Sequence, residues 1–372
     1  MSFVPIDQAL EAAPRMDAAW LDAHWMPFTA NRNFKAAPRM VASASGAYYT
    51  DTDGRKIFDG LSGLWCTGLG HGRREIAEAV GKAALNLDYA PAFQFGHPAS
   101  FALANKIKEL TPDGLDYVFF TGSGSESADT SLKMARAYWR AKGQASKTRL
   151  IGREKGYHGV NFGGISVGGI GGNRKTFGQG IEADHLPHTQ PPAGTFQKGM
   201  AEEGGRALAD KLLDVIALHD ASNIAAVIVE PFSGSAGVVI PPKGYLERIR
   251  EICTQNNILL IFDEVITAFG RCGTWTGSEA FGVTPDILNF AKQVTNGAQP
   301  LGGVVAIGFF ASFFAQIFLA PLADRGHARR LVIIGTALDM GPTILILTPV
   351  LMPIVKQAGI DPVYFGVLFI MN

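Results

Sequence analysis

Two apolar runs of β type limit what this chain can fold into. "AAVIVEP" (225–231) and "ILLIFDEV" (258–265) are nearly unbroken in branched and aromatic residues, as expected of strands covered on both faces. Between them, "GYLERIREICTQNN" (244–257) sets Leu246, Ile249 and Ile252 at helical intervals. The same rhythm extends from about residue 115 to 300. "DYVFFTG" (116–122), "TRLIG" (148–152) and "DILNFA" (286–291) are further strands, and "SESADTSLKMARAYWRAK" (125–142) is a helix opening on small polar caps. Such alternation builds an α/β fold with a mainly parallel, doubly wound sheet. Ligands of these sheets sit at the carboxyl ends of the strands.

Four features stand at predicted strand ends. In "TGSGSESAD" (121–129), Ser123, Gly124 and Ser125 lie between a strand and a helix start, where backbone N–H groups and the helix dipole favour a phosphate. Many ordinary helix caps look the same. Asp263 closes the run "ILLIFD", so its carboxylate emerges at the sheet edge and can keep a pyridine nitrogen protonated. An isolated aspartate there is more commonly a cap or an ion-pair partner. Lys292 follows "DILNFA" with no other charge from Ile287 to Leu301, a setting in which an amine loses its proton more easily and attacks a carbonyl. In "GYHG" (156–159), Tyr157 offers an aromatic face for stacking, with His158 beside it. Phosphate cradle, aromatic stacker, strand-end acid and strand-end lysine together specify pyridoxal 5'-phosphate as the cofactor.

Composition narrows the remainder. Basic and acidic residues balance at 33 each, so bulk charge gives no argument for a nucleic-acid partner. Cys66, Cys253 and Cys272 form no paired motif, which fits a reducing compartment and gives no metal signature. Arg271 beside Cys272 would lower that thiol's pKa, although an ordinary small side chain is the plainer reading. The N-terminus lacks the basic-then-apolar order of a secretory signal, so residues 1–302 are expected in the cytoplasm. The glycine-rich stretch "GYHGVNFGGISVGGIGGNRKTFGQG" (156–180) is read as a flexible lid or turn, because its "GGIGG" follows no strand and opens no helix.

On these residues the chain resembles the class III pyridoxal-phosphate aminotransferases, of fold type I. The likeness continues through "DGLSGLWCTGLGHGRREIAEAV" (59–80), "FQFGHPASFALANKI" (93–107), "FDEVITAFGR" (262–271) and "AKQVTNGAQPLGG" (291–303). "HWMPFTANRNFKAAPRM" (24–40) and "HDASNIAAVIVEPFSGSAGV" (219–238) point to the omega-amino acid–pyruvate subgroup. The resemblance implies that Lys292 bonds to the cofactor and moves the substrate proton, and that Asp263 pairs with the ring nitrogen. It also implies that Tyr157 lies over the ring with Val265 beneath it, that Ser123, Gly124 and Ser125 bind phosphate, and that Glu230 steadies the polar network near His158. Trp65 would line the substrate pocket. The implied reaction moves an amino group from an amine or omega-amino acid to pyruvate, in a homodimer. Ala268 stands where the family usually has glycine.

The resemblance divides the chain into an N-terminal segment (1–60), a cofactor-binding large domain (61–303) and a hydrophobic tail (304–372). Gly303 to Ala323 is uncharged and long enough to cross a membrane, for which roughly 20 residues suffice. The hairpin "DRGHARR" (324–330) would lie on the cytoplasmic side, and membrane association is expected through 303–355. "ALDMGPTILILTPVLMPIVKQAGIDPVYFGVLFIMN" (337–372) resembles the large membrane subunit of tripartite ATP-independent periplasmic transporters. Asp339, near Gly341 and Pro342, fits an ionisable group at a broken membrane helix. The expectation is a chimera whose segments after residue 303 no longer resemble an aminotransferase, with dimerisation and turnover impaired. The alternative is a transporter fragment carrying a degenerate enzyme domain.

Overall fold

The computed structural model describes residues 18–92, 95–190 and 202–307. The first strands, β1 (Val41–Ser45), β2 (Tyr48–Asp51) and β3 (Lys56–Phe58), form a small antiparallel sheet in that order. Seven more build the main sheet: β4 (Leu115–Thr121), β5 (Arg149–Arg153), β6 (Ala183–Leu186), β7 (Ile224–Val229), β8 (Leu259–Asp263), β9 (Ile287–Phe290) and β10 (Gly302–Ile307). Their spatial order is β4-β10-β9-β8-β7-β5-β6. Pairing is parallel from β9 through β8, β7 and β5 to β6, while β10 runs antiparallel to both β9 and β4.

Alternating side chains of the central strands feed two cores. Val227 and Val229 of β7, with Leu260 and Phe262 of β8, pack against Leu246, Ile249 and Ile252 of the helix Tyr245–Gln255. Ala226, Ile228 and Ile261 face the other way, onto Leu132, Ala135 and Trp139 of the helix Gly124–Ala141. The Trp139 indole N–H, buried with its ring, donates to Ala225 O at 2.8 Å. A third cluster joins Leu115, Leu288, Phe290 and Val305 to Ile107 of the helix Pro98–Leu110. Both faces are therefore covered, which is why the strands read as unbroken apolar runs.

Two expectations change here. The uncharged run from Gly303 begins inside the protein, since residues 303–307 form β10, and Val304 and Val305 are buried between β4 and β9. The cofactor domain thus extends past 303. Residues 308–372, with Asp339 and the hairpin, lie outside the described residues. Among the described residues no helix is long and apolar enough to cross a membrane.

The glycine-rich stretch is not an open lid. It forms the helices Phe162–Val167 and Gly171–Phe177, and Gly163 to Val167 are buried. Glycine is required for that approach. A Cβ on Gly164 would collide with His158 O, and one on Gly152 of β5 with Val167 O.

Val305 of β10 is fully buried. Val305→Asp places an unpaired charge there, at a cost of about 3–5 kcal/mol, and is expected to lower the thermal midpoint by roughly 10 °C. Scanning calorimetry checks this, and a midpoint equal to wild type would show that β10 is not a sheet strand.

Candidate active site

Along the carboxyl edge of the main sheet lies a cavity of ≈ 350 Å³, a size suited to one small organic molecule. Gly122 to Ser125 reach it from the end of β4, Tyr157 to Gly159 from β5, and Glu230 from β7. Asp263, Val265 and Ile266 enter from β8, and Ala291 and Lys292 from β9. Gln299, Pro300 and Leu301 close it just before β10.

Ser123 caps the helix Gly124–Ala141, its hydroxyl accepting from Glu126 N at 3.2 Å. The first N–H groups of that helix lie outside its internal ladder and open at the cavity. Gly124 must be glycine for close packing, because a Cβ there would stand 2.9 Å from Val265 Cγ2. Gly159 has φ of +100°, and a Cβ on it would meet the Ser125 hydroxyl. That hydroxyl accepts from Val160 N at 3.1 Å, joining the β4 and β5 turns.

Two adjacent acids at the end of β8 have different tasks. Asp263 Oδ2 pairs with His158 Nδ1 at 2.8 Å, and Oδ1 accepts from Val265 N at 3.2 Å. Glu264 turns away from the cavity. It accepts from Ser278 N, Ser278 Oγ, Gly277 N and Thr267 Oγ1, anchoring the helix Gly277–Phe281, and its burial raises its pKa. His158 Nε2 is buried with no partner, an orphaned polar atom at the cavity wall.

Glu230 binds backbone on both oxygens, taking Tyr157 N at 3.1 Å on Oε1 and Gly234 N at 2.9 Å on Oε2. Burial raises its pKa, against the lowering pull of His158 and Arg153. The Tyr157 phenol is raised too, first by burial and then by the Asp263 charge, so it stays protonated near neutrality. The residues present fit a phosphorylated aromatic aldehyde: N–H groups and a hydroxyl for an anion, a carboxylate for a ring nitrogen, and an amine for a carbonyl. Among the described residues no cluster of metal-ligating side chains occurs.

Ser123, Gly124, Ser125, Tyr157, His158, Glu230, Asp263, Val265 and Lys292 all line this one cavity. Trp65 is not part of its lining, and Cys66 stands there instead. The cause lies in the backbone. Ser62, Gly63, Leu64 and Trp65 have φ of 49°, 57°, 59° and 70°, one turn of left-handed helix, closed by Trp65 N donating to Leu61 O at 2.9 Å. Each non-glycine residue in such a turn costs about 1–2 kcal/mol. Asp59 holds it, accepting from Gly63 N at 2.6 Å, His71 Nε2 at 2.7 Å and Leu61 N at 3.2 Å.

Sequence reasoning also missed Gly159, Ile266, Gly297 and the segment Gln299 to Leu301, none of which carries a chemical signal of its own. The Cys272 thiol follows the plainer of its two readings. Burial pushes it up to about 11, assisted by the Glu264 charge, and outweighs the neighbouring Arg271.

A class-III aminotransferase family model matches residues 29–314. The chain belongs to this family. It is 64% identical over 302 residues to a beta-alanine–pyruvate aminotransferase of Pseudomonas aeruginosa, covering 81% of this chain and 67% of the relative. With an omega-amino acid–pyruvate aminotransferase of Pseudomonas putida it shares 62% identity over 287 residues, 77% of this chain and 64% of the relative. The chain thus spans about two thirds of the length of these curated relatives. Among solved structures, an (S)-enantioselective omega-transaminase from Thermomicrobium roseum superposes with a TM-score of 0.77 at 34% identity, covering 86% of this chain and 70% of that one. An amine transaminase from an uncultivated Pseudomonas species, in a PLP-bound form, gives 0.74 at 36% identity, covering 79% and 67%. The family match continues beyond residue 303, where the resemblance had been expected to end. Residues 329–372 match a second family, the tripartite ATP-independent periplasmic transporter, DctM component.

Burial alone would raise the Asp59 carboxyl, but hydrogen bonds from His71, Gly63 and Leu61 outweigh it and hold it below the usual range. A depressed carboxylate stabilises the fold above its unfolded pKa of about 3.9 and loses that contribution as pH falls. Asp59→Asn is therefore expected to cost about 1–3 kcal/mol near neutral pH and less in acid. Urea unfolding at both pH values measures the difference, and an equal loss at each would contradict the assignment.

Proposed function

We propose that this chain is a pyridoxal-phosphate-dependent transaminase body that takes an amino group from an omega-amino acid or amine and passes it to pyruvate. What supports the reading above all is the meeting of Lys292, Asp263 and the N-terminus of the helix Gly124–Ala141 at one cavity of ≈ 350 Å³. The family membership and the activities of the relatives point the same way. Bound pyridoxal phosphate supplies an electron sink for the electron pair released at the substrate Cα.

The chain's own residues then divide the work. Ser123, Gly124 and Ser125 would bind the phosphate, and Lys292 Nζ would hold the cofactor through its aldehyde carbon, whose oxygen leaves as water, and would take and return the Cα proton. Asp263, oriented by His158, holds positive charge at the ring nitrogen. Tyr157 and Val265 would confine the ring, and Glu230, at the end of β7, ties the turn after β7 to the turn after β5 that carries Tyr157 and His158. Cys66 lines the cavity beside Lys292, and Trp65 stands behind it. A cytoplasmic setting for the described residues belongs to the same proposal.

A second reading concerns origin. The transporter match at residues 329–372 favours a chain joined from two parents, with a membrane-type segment after the aminotransferase body. Independent long reads of the genomic DNA across that junction test it, and a reading frame without the junction would remove it.

Incubation of the purified chain with pyridoxal phosphate is expected to give an absorbance band that Lys292→Ala abolishes. A folded protein with no band would end the cofactor assignment. With the band present, β-alanine and pyruvate are expected to yield alanine, detected by chromatography.

A further inference from the structure

The left-handed turn Ser62 to Trp65 faces a second backbone segment with positive φ, the turn in which Lys292 has φ of 52° and Asn296 has 53°. Three ties join this segment to the first turn and the residues just after it, Cys66 to Gly70. Asn296 Oδ1 accepts from Leu69 N at 3.0 Å, and its Nδ2 donates to Gly70 O at 2.9 Å. Gly297 comes so near that a Cβ on it would stand 3.1 Å from Cys66 Cβ. The third tie is Arg271. Its Nη2 donates to Trp65 O at 3.1 Å and to Gln293 Oε1 at 2.7 Å, while the guanidinium lies 5.3 Å from the centre of the Trp65 ring. Gln293, the residue after Lys292, in turn donates from Nε2 to Phe269 O at 2.7 Å.

We propose that Arg271 is a positioning residue that locks the turn carrying Trp65 and Cys66 to the turn carrying Lys292. The cavity wall and the cavity amine then keep one relative placement. Arg271 serves both acceptors from Nη2 while its flat guanidinium lies against the indole, and a lysine ammonium has no flat face to offer. Residues in left-handed conformations persist only where their surroundings over-determine them. Asp59 fixes the start of the Trp65 turn, and Arg271 fixes its end. The charge of Arg271 is used at the wall and not in the cavity, whose lining it does not join.

One arm of the test rests on the proposed function and the other does not. In cofactor-free protein, near-ultraviolet circular dichroism is compared for wild type, Trp65→Phe, Arg271→Met and the double variant. Trp65→Phe is expected to remove a signal from wild type and nothing further from Arg271→Met, because the indole has already lost its fixed placement. Arg271→Lys should recover that signal only in part. In the second arm, pyridoxal phosphate is added and growth of the Lys292-dependent absorbance band is timed. Arg271→Met is expected to slow capture roughly tenfold, as a misplaced amine should. Gln293→Met, which cuts the tie at the lysine side, should slow it likewise while leaving the Trp65 signal intact. Folded Arg271→Met protein that keeps the Trp65 signal and captures cofactor at the wild-type rate overturns the proposal. If wild type gives no band, the functional reading falls and the dichroism cycle alone decides this one. If Arg271→Met does not fold, the Gln293→Met capture rate decides it, and a wild-type rate counts against it.

Discussion

The carboxyl ends of β4, β5, β7, β8 and β9 point to one edge of the sheet, and Ser123 to Ser125, Tyr157, His158, Glu230, Asp263 and Lys292 all reach the cavity on a strand end or the turn after it. Parallel pairing enforces this for β5 to β9. For β4 the enforcement is indirect. Because β10 runs antiparallel to both of its neighbours, β4 points the same way as β9. The phosphate-type loop at Gly122 to Ser125 and the lysine after β9 are thus brought to the same edge by a strand that supplies no reactive group. A sheet edge also suits the electrostatics, since unpaired N–H groups at helix starts collect there.

The site holds its charges through backbone. Both Glu230 oxygens take N–H groups from turns, and Asp263 takes one as well as the His158 ring. Such bonds fix carboxylates without long flexible partners and leave Lys292 without a dedicated counter-ion among the described residues. The strained turn before Cys66 is held in the same manner, by Asp59 accepting two backbone N–H groups and a histidine. Local strain and local anchoring occur together, as expected where a wall must be placed against a reactive group.

The central strands were legible because burial on both faces leaves a continuous apolar signature, and because Asp263 and Lys292 interrupt it abruptly. The flanking helix Tyr245–Gln255 was legible from its spacing of Leu246, Ile249 and Ile252. The Trp65 turn was not. Serine, leucine and tryptophan carry no local preference for positive φ, so the turn rests on what holds it, Asp59 at its start and the distant Arg271 on Trp65 O at its end. The segment after Tyr157 failed for the opposite reason. Its glycines suggested an open loop, but in the structure they are what lets a helix lie against His158 and β5. At Cys272 the plainer reading holds, because burial outweighs the charge of its neighbour Arg271.

"GGVVAI" at 302–307 has the composition of a membrane helix and of a sheet-core strand alike, and periodicity cannot separate the two over so short a run. Tertiary pairing decides it. Gly303 packs where a Cβ would collide with the Phe290 ring and Phe119 O, and Val304 and Val305 are enclosed by strands on both sides. Without β10, β4 would lose its one sheet neighbour among the described residues, and Gln299 to Leu301 the strand that follows them at the cavity rim. The aminotransferase body must therefore run at least through β10, in accord with a family match that ends at residue 314. The transporter match begins beyond that strand, at residue 329.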